Sequence, residues 1–279
     1  MMKIDALNSL PGIGESLRKH SLFTKKSFGQ HFIFDLNLTA KIARCAGDLS
    51  SCTVLEIGPG PGALTRSILL AGAKKVIAIE KDSRVLPLLQ EIKNAAGERL
   101  EIIHGDALEI AEENLAAGDI KIISNLPYNI STPLLFKWLD KINLFSGLTL
   151  MFQKEVADRI AAVPGSKDYG RISILTQWLA EVRTEFDIPP DAFIPPPKVT
   201  STVVNIIPYL KPLYPAKKEI LKKICEVFNQ RRKILRGSLK KITADPARLL
   251  EIAGIDPERR PETLTVQEFC KLAEALETL

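Results

Sequence analysis

The feature that most constrains the fold is an alternation of short apolar runs with longer amphipathic runs, beginning near residue 53. The short runs are rich in β-branched residues, which favours strands, and the longer runs have the spacing of helices. These runs are TVLEI, LTRSILLAG, KVIAIE, RVLPLLQEIKNAA, LEIIHGD, IKIISN, PLLFKWLDKI and GLTLMFQ. Such alternation predicts a doubly wound α/β domain, with a mostly parallel sheet and helices on both of its faces.

The pattern changes twice in the second half of the chain. The runs AEVRTEFDIP and TSTVVNIIP are separated only by the proline-rich segment 189–199, so we expect a hairpin-like pair at the far edge of the sheet. After PYLKPLYPAKKE only helical periods appear. The sequence therefore predicts a basic N-terminal arm at 1–24, an α/β domain at 25–208 and a small all-α domain at 209–279.

Composition excludes several classes of protein. With 46% apolar residues among 279, the chain can bury a core. No apolar run approaches the roughly 20 residues that span a bilayer, and the N-terminus lacks the apolar stretch of a signal peptide, so we expect a cytoplasmic protein. The four cysteines form no C-x-x-C pair and the three histidines are far apart, so we expect neither a disulfide framework nor a metal site.

A glycine-rich loop, VLEIGPGPGALT, follows the first strand and precedes a helix. Glycines at such a turn let a ligand approach the backbone and the helix N-terminus. Gly58, Gly60 and Ala63 also satisfy the dinucleotide pattern G-x-G-x-x-A, and Glu80 follows at about the 20-residue spacing of an NAD site. A tight strand-to-helix turn that binds no ligand is the alternative.

Polar side chains end the strands that follow this loop. Glu80 follows KVIAI, Asp106 follows LEIIHG and Asn125 follows IKIIS, while Glu56 precedes the first glycine. Ligands of open α/β sheets bind outside the carboxyl ends of the strands, so we expect these groups to converge. Each acid alone could be a solvated loop residue. Together with the prolines of the glycine loop, they favour S-adenosylmethionine over NAD, with Glu80 on the ribose hydroxyls and Asp106 on the adenine amine.

The segment NLPY suits a site that methylates an adenine amine. The lone pair of that amine is delocalised into the ring, so the site must accept hydrogen bonds from the NH2 group as the methyl arrives. The Asn125 side-chain oxygen and the Leu126 carbonyl supply two acceptors, Pro127 stiffens the loop and Tyr128 stacks on the base. Positioning and electrostatics then carry the catalysis without a strong base.

At this point the sequence resembles a known family, the KsgA-type rRNA adenine dimethyltransferases. The resemblance covers nearly the whole chain after the first two dozen residues. It implies a Rossmann-like S-adenosylmethionine-dependent methyltransferase domain with a small all-α C-terminal domain, which makes N6,N6-dimethyladenosine at two adjacent adenosines near the 3′ end of small-subunit rRNA. The segments that carry it are KKSFGQHF, LEIGPGPGALT, IEKD, GDAL, NLPYNIST, FQKEVADRI, FIPPPKVTSTV and FNQRRKILRGSL.

The resemblance also implies the residues of the site. Many members carry Asn at position 31, so the contact of His31 is the least defined, and an ordinary loop histidine is the alternative there. Phe193 could equally pack in the core. The implied catalytic residues are Asn125, Leu126, Tyr128 and, as a second face for the base, Phe193. The implied S-adenosylmethionine pocket comprises Gln30, His31, Ile33, Gly58, Gly60, Glu80, Asp106 and Asn125.

Clustered basic residues point to an RNA partner more strongly than the net charge of +5 does. A solvated helix surface is the alternative, but few acids interrupt the clusters. The residues are Lys25 and Lys26 before the GQHF segment, and Lys217, Lys218, Lys222, Lys223, Arg231, Arg232, Lys233, Arg236, Lys240 and Lys241 in the tail. We expect a monomer that binds small-subunit rRNA within a pre-30S particle, without a membrane or a metal.

Four other functions remain open on the residues alone. An Erm-like enzyme would modify large-subunit rRNA with the same fold, and a DNA adenine methyltransferase would share the NLPY chemistry. An assembly or transcription factor could bind RNA and retain a vestigial S-adenosylmethionine site. A nicotinamide-dependent dehydrogenase would use the glycine loop differently.

Overall fold

The structure is a computed structural model that describes residues 6–20, 22, 31–230 and 233–279. Several residues with predicted roles therefore lie outside the described residues. They are Lys25, Lys26, Gln30, Arg231 and Arg232.

The chain divides into two compact units. The first joins Met1–Ala157 to Arg183–Pro208, and the second joins Asp158–Val182 to Tyr209–Leu279. The sequence prediction differs here, because it assigned residues 158–182 to the α/β domain. In the structure the indole Nε1 of Trp178 donates to the Tyr214 carbonyl at 2.7 Å, which ties this segment to the C-terminal part of the chain.

Nine short segments of the described chain are strands. They are β1 (Phe32–Ile33), β2 (Thr53–Ile57), β3 (Lys75–Glu80), β4 (Leu100–His104), β5 (Ile120–Asn125), β6 (Gly147–Gln153), β7 (Ala180–Ile188), β8 (Phe193–Ile194) and β9 (Ser201–Pro208). Seven of them form one sheet in the order β4-β3-β2-β5-β6-β9-β7, and β1 pairs with β8 separately.

The seven-stranded sheet confirms the predicted α/β class. The pairs β3–β4, β2–β3, β2–β5 and β5–β6 are parallel, and β9 is antiparallel to β6. Val54, Val76 and Ile122 are fully buried, as strands covered on both faces require. The chain moves outward from β2 to β3 and β4, then returns to β5 on the other side, so the strand order reverses at the carboxyl ends of β2 and β5.

Helices connect the strands and make up most of the second unit. In the first part of the chain they are α1 (Ile13–Lys19), α2 (Leu36–Cys45), α3 (Ala63–Leu70), α4 (Leu86–Ala96) and α5 (Tyr128–Asp140). The later helices are α6 (Lys154–Ala161), α7 (Arg171–Leu179), α8 (Lys218–Ile224), α9 (Leu235–Ser238), α10 (Pro246–Ala253) and α11 (Val266–Thr278).

Two helix starts position the site. Gly62 precedes α3 in the left-handed region at φ 85°, and a Cβ there would lie 2.2 Å from Cδ1 of Ile92. Only glycine fits this position without a shift of its neighbours, so the turn between β2 and α3 is tightly defined. Helix α5 begins at Tyr128 directly after Pro127, which places the aromatic ring at the helix entrance.

The described part of the predicted N-terminal arm belongs to the first unit. Leu7 is fully buried, and Ile13 and Leu17, four residues apart on α1, are buried on the same helix face. The buried guanidinium of Arg66 donates to the Pro11 carbonyl at 2.7 Å and also reaches the carbonyl of Leu7. Leu7, Ile13 and Leu17 are therefore part of the buried core of this unit.

Candidate active site

A cavity of about 290 Å³ lies where the strand order reverses. It brings together most of the predicted site, although these residues are spread over nearly a hundred positions in the sequence. The predicted residues that line it are His31, Gly58, Gly60, Glu80, Asp106, Asn125, Leu126 and Tyr128. Its lining also includes Phe32, Lys81, Pro127, Asn129 and Ile130, to which the sequence analysis gave no cofactor contact.

The glycine loop forms one wall of the cavity. Gly58 and Gly60 have positive φ angles of 64° and 54°, which glycine adopts without strain. A Cβ at Gly60 would lie 2.6 Å from the Phe32 ring, and one at Gly58 would lie 3.5 Å from Pro127. The missing side chains therefore allow the loop to approach both the β1 segment and the NLPY segment.

Glu80 ends β3 and is buried at the floor of the site. Its Oε2 accepts the amide hydrogen of Gly60 at 3.0 Å, and its Oε1 accepts that of Asp82 at 2.7 Å. Burial raises the pKa of Glu80, and these two amides oppose the rise. A carboxylate has about four lone-pair positions, so two acceptor sites remain for the ribose hydroxyls predicted from the sequence.

Asp106 is held in place from two sides. Its Oδ1 accepts from the Leu108 amide at 2.9 Å, and its Oδ2 accepts from Lys81 Nζ at 2.7 Å. The Lys81 ammonium, more than any other group, holds the pKa of Asp106 below its ordinary value. Asp106 is therefore an ionised hydrogen-bond acceptor at the edge of the cavity.

The amide of Asn125 has a defined orientation. Its Nδ2 donates to the backbone carbonyl of His31 at 3.1 Å. Because the donor end of the amide is engaged there, its Oδ1 is the end available as an acceptor. This is the orientation that acceptance of a hydrogen bond from an adenine amine requires.

Tyr128 is fixed through both its hydroxyl and its ring. The hydroxyl is hydrogen-bonded to Ser201 Oγ at 2.6 Å, and the ring is stacked with the His31 imidazole at a centroid distance of 5.5 Å. Burial raises the pKa of Tyr128, so the side chain is a neutral phenol at neutral pH. Sequence reasoning missed Ser201, which lies within FIPPPKVTSTV without any distinguishing local pattern.

Two of the predicted residues that the structure describes, Phe193 and Ile33, do not line the main cavity. Phe193 is 1% exposed and packs in the hydrophobic core, where it pairs with Ile33 across β1 and β8. This placement does not support its predicted role as a second face for the base. Ile33 is also buried and lines a separate small cavity of about 30 Å³ with Gly58 and Asn125. The predicted Gln30 lies outside the described residues.

A buried carboxyl group lies beneath the glycine loop. Glu56 is 1% exposed and accepts a hydrogen bond from the Thr65 hydroxyl at 2.6 Å. Burial raises its pKa to about 8, and the nearby carboxylate of Glu80 adds to the rise. Glu56 is therefore protonated at neutral pH.

Within residues 6–20, 22, 31–230 and 233–279, no group of three or more His, Cys, Asp or Glu side chains is placed to hold a metal ion. In the same ranges, no helix has the length and apolarity needed to cross a membrane.

Comparison with known proteins gives consistent matches. Residues 22–278 match the family model described as ribosomal RNA adenine dimethylase. The chain is 51% identical over 278 residues to the ribosomal RNA small subunit methyltransferase A of Ruegeria sp. (strain TM1040), which covers 98% of this chain and 99% of that relative.

Two solved structures are similar over most of the chain. A dimethyladenosine transferase from Plasmodium falciparum has a TM-score of 0.75 at 29% identity and covers 89% of this chain and 98% of its own. The 23S rRNA methyltransferase ErmE has a TM-score of 0.67 at 24% identity, covering 88% and 99%. The second likeness is one of fold alone.

The protonated state of Glu56 predicts a characteristic pH dependence of stability. The unfolded chain ionises this group near pH 4.5, whereas the folded chain retains the proton up to about pH 8. Between these pH values, ionisation of Glu56 stabilises the unfolded state by about 1.4 kcal/mol per pH unit. The free energy of unfolding of the wild-type protein therefore contains a term that falls as pH rises. Glu56→Gln removes this term. Its free energy of unfolding relative to wild type should rise by roughly 3 kcal/mol from pH 5 to pH 8, measured by urea denaturation.

The control for this comparison is Glu98→Gln, the same substitution at an exposed position. Its difference from wild type should not show the rise expected for Glu56→Gln. Parallel pH curves for Glu56→Gln and wild type would mean that Glu56 is ionised in the folded protein.

Proposed function

Because the chain belongs to the ribosomal RNA adenine dimethylase family, we propose that it dimethylates N6 of two adjacent adenosines near the 3′ end of 16S rRNA. The target adenosines lie in a loop of a pre-30S particle, and the enzyme acts in the cytoplasm, as a monomer, in small-subunit biogenesis. One observation carries this proposal. The base-directed groups of Asn125, Leu126 and Tyr128 line the same cavity as the cofactor-directed Gly58 and Glu80.

The residues of the cavity fit S-adenosylmethionine. Glu80 offers acceptors for the ribose hydroxyls, Asp106 offers an acceptor for the exocyclic amine of its adenine, and the glycine loop leaves room for its chain. When bound, S-adenosylmethionine supplies an electrophilic methyl group. The protein contributes the alignment of the target amine with that group.

The target adenine is held by acceptors and by stacking. Oδ1 of Asn125 and the carbonyl of Leu126 accept hydrogen bonds from the N6 amine, which keeps electron density on nitrogen during methyl transfer. The ring of Tyr128 stacks on the base, which must leave its RNA stack to enter the cavity. The N6 proton becomes acidic only after the methyl group has been added, so these residues act by positioning and electrostatics.

The exposed cations of the second unit support an RNA partner. Phosphate contacts from such residues position an RNA without reading its sequence. Lys217 also pairs with Glu277 at 2.9 Å, so it contributes less net charge than the others. Among the exposed cations of the tail are Lys217, Lys223, Lys233, Arg236, Lys240 and Lys241.

A methylation assay tests the proposed substrate and the proposed catalytic residue together. Labelled S-adenosylmethionine incubated with the protein and pre-30S particles should yield N6,N6-dimethyladenosine at two neighbouring positions, mapped by primer extension and mass spectrometry. Asn125→Ala should lower the rate of transfer at least about 100-fold, because one of the two acceptors for the amine is lost. Its affinity for the particle should stay unchanged.

The matched control is Asn114→Ala, which removes an exposed asparagine. It should methylate at the wild-type rate. Methylation of large ribosomal subunits or of DNA in place of pre-30S particles would overturn the proposed substrate. An Asn125→Ala protein with wild-type activity would overturn the proposed catalytic role.

A second prediction concerns the exposed lysines of the tail. The double variant Lys240→Gln/Lys241→Gln should bind small-subunit rRNA more weakly in filter-binding assays. If each lysine contacts one phosphate, the slope of log affinity against log salt should decrease by about 1.5, since each contact contributes roughly 0.7 to 0.9. The control variant Arg44→Gln/Lys74→Gln removes the same charge from exposed positions of the first unit. An equal change of slope in both variants would refute a specific role of the tail pair.

A further inference from the structure

We propose that His31 is a positioning residue that holds Asn125 and Tyr128 in their productive arrangement. The sequence assigned His31 only to the cofactor pocket. This inference rests on the proposed function, because it supposes that Asn125 and Tyr128 receive the target base. Its basis is that one residue contacts both of these side chains, each through a different group.

The first contact is made by the backbone of His31. Its carbonyl accepts the Nδ2 hydrogen of Asn125 at 3.1 Å. A carbonyl cannot donate a hydrogen bond, so it selects the amide orientation in which Oδ1 is the free acceptor. The backbone of residue 31 thereby decides which end of Asn125 is available to the amine.

The second contact is made by the His31 side chain. The imidazole and the Tyr128 ring are stacked with centroids 5.5 Å apart and planes inclined by 28°. This distance lies within the range of favourable aromatic pairs. Because His31 covers one face of the Tyr128 ring, the opposite face is the one on which the target adenine stacks.

The imidazole is itself anchored. Its Nδ1 lies 2.8 Å from the Pro195 carbonyl, and since a carbonyl only accepts, Nδ1 carries the hydrogen. Directly beside it, β1 pairs with β8 in the register Phe32 with Ile194 and Ile33 with Phe193. The buried Phe193 fixes this ribbon in the core. The ring is therefore a fixed support for Tyr128.

A cofactor-binding role and a positioning role predict different kinetic changes. If His31 chiefly binds the cofactor, its truncation raises the dissociation constant of S-adenosylmethionine. If it positions the catalytic pair, truncation lowers kcat and leaves that constant unchanged, because a misplacement of about 1 Å can lower the rate about 100-fold. An aromatic replacement should restore the rate only in the second case.

The experiment compares His31→Ala, His31→Phe and the control His20→Ala on pre-30S particles. His20 lies beside Glu91 on α4, away from the cavity. We expect His31→Ala to lower kcat about 10- to 100-fold. We expect the dissociation constant of S-adenosylmethionine, measured by calorimetry, to change less than about threefold, a free-energy change below about 0.7 kcal/mol. His31→Phe should recover most of kcat, and His20→Ala should match wild type.

Either of two kinetic results overturns the proposal. One is a loss confined to the affinity for S-adenosylmethionine. The other is a His31→Phe protein as slow as His31→Ala, which would mean that the stack does not set the rate.

A measurement without activity separates this inference from the proposed function. The protein has four tyrosines, so 3-fluorotyrosine labelling gives four 19F signals, and Tyr128→Phe assigns one of them. That signal should shift and broaden in His31→Ala and stay in place in His20→Ala. An unchanged signal in His31→Ala overturns the positioning role. If wild-type protein fails to methylate pre-30S particles, the proposed substrate is wrong, and the fluorine spectra still decide whether His31 fixes Tyr128.

Discussion

The site depends on how β2 pairs with its two neighbours. It is parallel to β3 on one side and to β5 on the other, so the chain turns in opposite directions from adjacent strand ends. The hydroxyl of Ser124 donates to the Ile57 carbonyl at 2.6 Å and joins the ends of β5 and β2. This single junction places the glycine loop next to Asn125. Without it, the groups that recognise the cofactor and the groups that recognise the base would not share a cavity.

Much of this arrangement is predictable from the sequence, and the family membership inferred from its motifs is confirmed. The alternation of runs predicts a parallel sheet, and parallel strands necessarily end at one edge, which brings Glu80, Asp106 and Asn125 together. The N-terminal segment was predicted as a basic arm from its basic residues, which are its most conspicuous feature. The four-residue spacing of Ile13 and Leu17, which indicates the buried face of α1, is a less obvious pattern.

The contacts around Tyr128 could not be predicted in the same way. They join residues more than seventy positions apart. The His31 contact depends on the register of β1 with β8, and the Ser201 contact depends on the register of β6 with β9. A shift of one residue in either register would turn the side chains of the strand to the other face. The proline-rich segment suggested a role for the Phe193 ring. In the structure Phe193 anchors the segment in the core, and the groups that reach the site are the Pro195 carbonyl and the Ser201 hydroxyl. The local sequence does not indicate that these two groups reach the site while the Phe193 ring does not.

The hydrogen bond from Asn125 to His31 has a consequence for which side chains can occupy position 125. An amide is among the smallest groups that carry a donor and an acceptor in one rigid plane, so it can be fastened through one end while it acts through the other. A carboxylate is the stronger acceptor, but it would turn an oxygen towards the His31 carbonyl. It could not donate the hydrogen bond that fixes the side chain. At this position, a weak acceptor in a fixed orientation is therefore more suitable than a stronger acceptor whose orientation is not fixed.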